Sequence, residues 1–207
     1  TCVVSAAATP IATFNLIPFD YNLAVPATTI TPGSTSSQTV TVTTSQGTAQ
    51  SVAVNIGALP SQVTLTSGNN LACTPTSGSC SVTFTYSATL SATPGSYSVN
   101  YNGTSSGVAL KSGTFTMTVN PTPTFSVSVT KQGTGGGTVT STSVPTQGNQ
   151  INCGGTCSAS FNVGTSVTLT AVALAGSNFT GWSNGCSGIG TCVVSAAATP
   201  IATFNLI

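Results

Sequence analysis

The sequence predicts an all-β chain: a β-sandwich followed by a smaller, disulfide-stapled β module, in tandem array. Three observations carry this. Short runs alternate apolar and polar residues, with almost no helical periodicity. Between them lie turn-forming clusters drawing on 22 Gly and 11 Pro, and the cysteines fall mostly in close pairs. The stretch TCVVSAAATPIATFNLI occurs twice without a change, at residues 1–17 and again at 191–207.

In chain order, FDYNLAV (residues 19–25) opens the larger module. QTVTVTTS (38–45), QSVAVNIG (50–57), SQVTLTS (61–67), CSVTFTYS (80–87), GSYSVNYN (95–102) and GTFTMTVN (113–120) follow as alternating strands. About seven strands in roughly a hundred residues suit a sandwich with Greek-key connections. The larger module spans 18–120. PTPT (121–124) is a short, stiff linker, because proline restricts itself and the residue before it. The smaller module spans 125–207, with strands in TFSVSVTKQ, GTVTST, CSASFNVG, SVTLTAVAL, SNFTGWSN, TCVVSAA and IATFNLI. Residues 1–17 then read as the last two strands of a preceding unit's small module, or as a donor segment for a neighbour.

Composition excludes most chemistry. There are two cations (Lys111, Lys131), one acid (Asp20) and no histidine. General acid–base catalysis needs titratable groups within reach of substrate, and a glycosidase needs two carboxylates. Neither a Ser-His-Asp relay nor a His-rich metal site can be assembled. Two cations form no stripe that could neutralise phosphates, which argues against nucleic acid. An enzyme is not expected, nor is a cofactor. There is no apolar run near 18 residues, so no transmembrane helix is expected. Lacking an initiating Met and a signal peptide, the chain reads as an excerpt of a processed product. A net charge of +1 and a mean hydropathy of +0.35 favour association or a sugar coat.

The run from FSVSVTKQGTGGGTV through INCGGTCSASF, GTSVTLTA, FTGWS, CSGIGTC and the closing IATF resembles the bacterial repeat family related to the internalin B-repeats. That resemblance covers about eighty residues and implies a small β-rich module, in tandem within a large secreted or surface protein. It implies no enzymatic activity. In the larger module, LPSQVTLTS and TPGSYSVNYNG resemble bacterial immunoglobulin-like surface domains.

Cys73 and Cys80, Cys153 and Cys157, and Cys186 and Cys192 each bracket a short loop, so three local disulfides are the natural reading. The four cysteines of the smaller module still allow three connectivities. A four-cysteine zinc site is the rival reading, at looser spacings than zinc ribbons show. Disulfides place the chain outside the cell or at its surface. Cys2 corresponds to Cys192, and its partner would map just upstream of Thr1; it is unpaired within this stretch.

Trp182 reads as the large core residue of a small module; the alternative is a sugar platform shared with Tyr101. Asp20 and Lys111 sit near the ends of the first and last strands of the larger module. They would meet as an ion pair if those strands run parallel. An isopeptide cross-link between them would need a second acid, and the chain has none. Asn102 (NGT) and Asn178 (NFT) are candidate glycosylation sites.

The preferred function is a structural subunit of an extracellular fibre or filament made of 190-residue tandem repeats, from Thr1 to Thr191. Its expected partners are copies of itself, head to tail and through lateral bundling, with glycans as possible additions. A non-closing head-to-tail interface generates a filament, of roughly 60–80 Å per unit from strand lengths. A repetitive adhesin stalk, with its ligand site elsewhere, and a carbohydrate-binding accessory module are the alternatives.

Overall fold

The computed structural model describes residues 15–148 and 150–207. They divide into two compact units. One runs to Ile30 and includes Ser34–Ala88 and Gly95–Val119; the other holds Thr31–Gly33, Thr89–Pro94 and Asn120–Ile207.

The first unit is an immunoglobulin-like sandwich. Its strands are β1 (Asp20–Ala24), β2 (Thr28–Ile30), β3 (Thr35–Gln46), β4 (Val52–Ile56), β5 (Val63–Leu65), β6 (Leu71–Cys73), β7 (Ser79–Ala88), β8 (Gly95–Thr104) and β9 (Lys111–Val119). One sheet has the order β1-β3-β7-β5, the other β2-β9-β8-β4-β6. Two-residue alternation sends Val40, Val42, Phe84 and Tyr86 inward from the first sheet, and Val54, Val99, Phe115 and Met117 from the second.

The opening strand divides at Pro26, which has no N–H for a ladder. Beyond it, β2 joins the other sheet, parallel to β9. The side chain of Gln38, itself buried, fixes that crossing. Its Nε2 donates to the Pro26 carbonyl at 2.5 Å, and its Oε1 accepts from the Tyr86 hydroxyl at 2.5 Å. Two short strands, β2 and β6, were not evident from alternation, because three residues show less than two periods of it.

The second unit is built from β10 (Thr124–Ser128), β11 (Thr130–Gln132), β12 (Gly137–Val144), β13 (Ser158–Asn162), β14 (Ser166–Ala173), β15 (Ser177–Ser183), β16 (Cys192–Val194) and β17 (Ile201–Leu206). They form three sheets: β10-β13, β11-β17-β15 and β12-β14-β16. TFSVSVTKQ, expected as one strand, breaks at the buried Val129, and its halves enter different sheets. The Val129 N–H turns to the Cys157 carbonyl at 2.8 Å. β10 also takes up Thr124, so the expected linker is one residue shorter.

Phe125, Val127, Phe161, Leu169, Trp182 and Phe204 fill the core. Gly137 is obligatory there. A Cβ on it would lie 2.1 Å from Phe204 Cε1, so the ring rests directly on bare backbone. Polar groups are buried too. Ser141 accepts from the Ile151 N–H at 2.7 Å and donates to Gln150 at 2.9 Å, while Gln147 spans from Thr165 to the Asn162 N–H. This network anchors the connection between β12 and β13 inside a core too small to hold it by apolar contact alone.

Candidate assembly surfaces

The second copy of the repeated stretch contributes β16 and β17. β17 is a middle strand, parallel to β11 through Thr130↔Ile201 and antiparallel to β15 through Phe179↔Phe204 and Trp182↔Ala202. β16 lies against β14, with Val194 opposite Val167 and Cys192 opposite Leu169. Cys192, Val194, Ala202 and Phe204 are buried, so four of its residues are core. The first copy falls on residues 1–17, of which 1–14, including Cys2, lie outside the described residues.

Trp182 joins the same core, and only 5% of it is exposed. Phe179 and Trp182 are three apart, so strict alternation would place them on opposite faces. A bulge between Phe179 and Gly181, where Gly181 has φ +139°, inserts one residue and restores a common face. Their rings meet edge-on at 5.4 Å, and Trp182 Nε1 donates to the Gly190 carbonyl at 2.8 Å. Tyr101 lies over its cross-strand partner Gly113, where an added Cβ would come within 2.6 Å of the hydroxyl. The Trp182 ring, in the core, does not stand free as a sugar platform, and the Tyr101 ring is half-buried.

Solvent-facing positions of the sandwich are almost all hydroxyls and amides. On the β3–β7 ladder, Thr39 faces Thr83 at 3.3 Å and Thr41 faces Ser81 at 3.4 Å, oxygen to oxygen. On the opposite sheet, Ser98 pairs with Thr116 and Asn100 with Thr114. Asn55 donates to Asn102 at 3.4 Å, so the Asn102 sequon lies within an amide ladder, half-buried. Asn178 is exposed on β15, opposite Asn205.

Asp20 and Lys111 meet, with Nζ 2.9 Å from Oδ1. The route differs from the parallel pairing expected. β1 pairs with β3, and the parallel neighbour of β9 is β2, so the ion pair joins the rims of two sheets. The Lys111 ammonium, with help from the Tyr21 backbone, holds the Asp20 carboxyl below its ordinary value. Burial pushes the hydroxyls of Tyr86 and Tyr21 up. Lys131 donates to the Gly137 carbonyl at 3.0 Å.

The six described cysteines form Cys73–Cys80, Cys153–Cys157 and Cys186–Cys192 disulfides. The first does more than close a loop: Cys73 belongs to one sheet of the sandwich and Cys80 to the other. The third ties β16 to the segment after β15. Among the described residues, no group of His, Cys, Asp and Glu could hold a metal ion. Among the described residues, no helix is long and apolar enough to cross a membrane.

Residues 152–206 match the divergent InlB B-repeat domain. No curated protein matches the chain. Among solved structures, the chain is similar to an Escherichia coli alpha-2-macroglobulin at 18% identity (TM-score 0.40), over 61% of this chain and 9% of that one. The Bacillus anthracis TIE protein is 10% identical (TM-score 0.41), over 96% and 42%. A major pilin (T-13) of Streptococcus pyogenes is 10% identical (TM-score 0.29), over 77% and 90%. The chain thus spans less than half of the first two.

Proposed function

We propose that the chain is a non-catalytic structural unit of an extracellular fibre or filament built from 190-residue repeats. The observation that carries this is the recurrence of seventeen residues whose second copy forms β16 and β17. A stretch that supplies core strands is kept intact by the needs of a module, and its second occurrence implies a second module of the same kind. Support comes from three further sides. The disulfides suit an oxidising medium outside the cell. Hydroxyl-covered faces with a net charge of +1 let neighbouring copies approach without charge repulsion. One acid and no histidine leave acid–base chemistry without its groups.

The partners are copies of the chain, joined head to tail, with the sandwich faces available for lateral contact. Electron microscopy of the native material tests the reading. Filaments made of this chain are expected. Single, cell-anchored molecules with a different domain at the tip would replace the fibre by an adhesin stalk.

A further inference from the structure

We propose that the outer face of the β12-β14-β16 sheet is a contact surface between copies of this chain, and that it carries lateral contact in the fibre. The setting rests on the fibre reading; the surface itself is an addition to it.

Alternation turns Val139, Val167, Leu169, Cys192 and Val194 of this sheet inward, so their neighbours along each strand face out. Among those neighbours Val144, Val172 and Val193 are 73%, 56% and 57% exposed, one on each strand. Register gathers them on one surface. Thr142 stands beside Thr168 and Thr168 beside Val193, while Thr138 stands beside Val172. Thr140 and Thr170 lie between, paired with each other. The sandwich makes the comparison. Among the described residues, no strand from β1 to β9 exposes a large apolar side chain. Threonine has the same shape as valine and would suit positions 144, 172 and 193 equally as strand residues. Valine there forgoes hydrogen bonds to water and gains nothing inside the module, so its use lies outside.

The face selects its occupant by what it lacks. It carries no charge: Asp20 and Lys111 belong to the other unit, and Lys131 to β11 in another sheet. An ordinary protein, about a quarter of whose residues are charged, would have to strip water from its charges to lie here. This chain is 1% charged, so a second copy meets no such penalty. Valine and threonine are both stiff about χ1, and little side-chain freedom is lost when two such faces meet. Two copies related by a two-fold axis present the same patch to each other, packing sheet on sheet about 10 Å apart. Size points the same way. A standard interface takes roughly 20–30 residues a side, and this face offers only the outward residues of three strands. A single contact of that size is weak. A polymer of copies repeats it at every unit, and the repeated contacts reinforce one another.

Sedimentation of the purified 207-residue chain, with free thiols alkylated, tests this. The sedimentation coefficient is expected to rise with concentration up to about 1 mM, the range of weak association. Thr170→Lys puts a cation at the centre of the face and should abolish the rise. Thr83→Lys puts the same charge on the sandwich and should leave it. Val172→Thr combined with Val193→Thr keeps side-chain shape and should weaken association roughly tenfold, deciding the matter if the lysine variant loses its Trp182 core emission. A coefficient constant to that concentration overturns the proposal. So does equal loss in the Thr83 and Thr170 variants, or full association by the double valine variant. Native filaments with a chain that stays monomeric in solution remove this contact and leave the fibre. Association through this face without filaments removes the fibre and leaves the contact.

Discussion

In the sandwich, β3 pairs with β7 over nine residues and β8 with β9 over nine, and one disulfide serves both sheets. In the small module the longest ladder, β12 with β14, covers eight residues, while β11–β17 and β14–β16 cover three each. That module carries two disulfides and a buried hydroxyl–amide network. The contrast teaches what a small β core needs. Long ladders over a broad apolar face sustain the sandwich. A module of about eighty residues buries proportionally less surface, and covalent staples and internal polar bonds make up the difference. It also puts core residues into its last strands, so its closing segment is structurally indispensable.

The two modules can be followed separately. The single tryptophan, Trp182, is in the small module, and all four tyrosines are in the sandwich. The largest effect is expected from Phe204→Ala, which opens a cavity over Gly137. It should destabilise the small module by about 3–5 kcal/mol, lowering the tryptophan-detected melt while the tyrosine signal stays in place. Equal movement of both signals would break the contrast. Reduction comes next. Each short loop is worth roughly 2 kcal/mol in the chain-entropy account, so two bridges against one should shift the tryptophan transition about twice as far.

Tyr86→Phe acts on the other side. It leaves the buried Gln38 Oε1 without its donor, at a cost of about 1–3 kcal/mol, visible in the remaining tyrosines. The smallest effect is that of charge. Asp20 is depressed in the folded state, so its contribution is present above 3.8 and is lost as pH falls through the folded value. Tyr86 is raised, so its contribution holds below 10.0 and is lost as pH climbs beyond it. With no histidine, denaturant midpoints should be flat from about pH 5 to 9. Asp20→Asn should remove the acid-side slope and leave the tyrosine transition nearly in place. A titration near pH 6–7 would contradict this account.

The fold class was legible because a strand with one buried face has a period of two, and QTVTVTTS or CSVTFTYS shows it without ambiguity. What alternation could not reveal is which sheet a strand joins. TFSVSVTKQ alternates cleanly and still splits at Val129, because the change of sheet depends on partners far along the chain. The same holds for Cys73 and Cys80, whose spacing describes a loop while their strands belong to opposite sheets. Trp182 illustrates a local limit. Its face depends on the parity change at Gly181, and a single glycine in a strand marks a bulge without giving its direction. The repeated seventeen residues were visible at once. Their place as a middle strand and an edge strand of two different sheets was not, since strand order is set by distant pairings.

The most direct test is electron microscopy of the native material, read for filaments and for their axial repeat. The account predicts one constant repeat, in which each period contains one sandwich and one small module closed by a TCVVSAAATPIATFNLI segment. Material without a regular repeat, or a repeat holding only one kind of module, would contradict it.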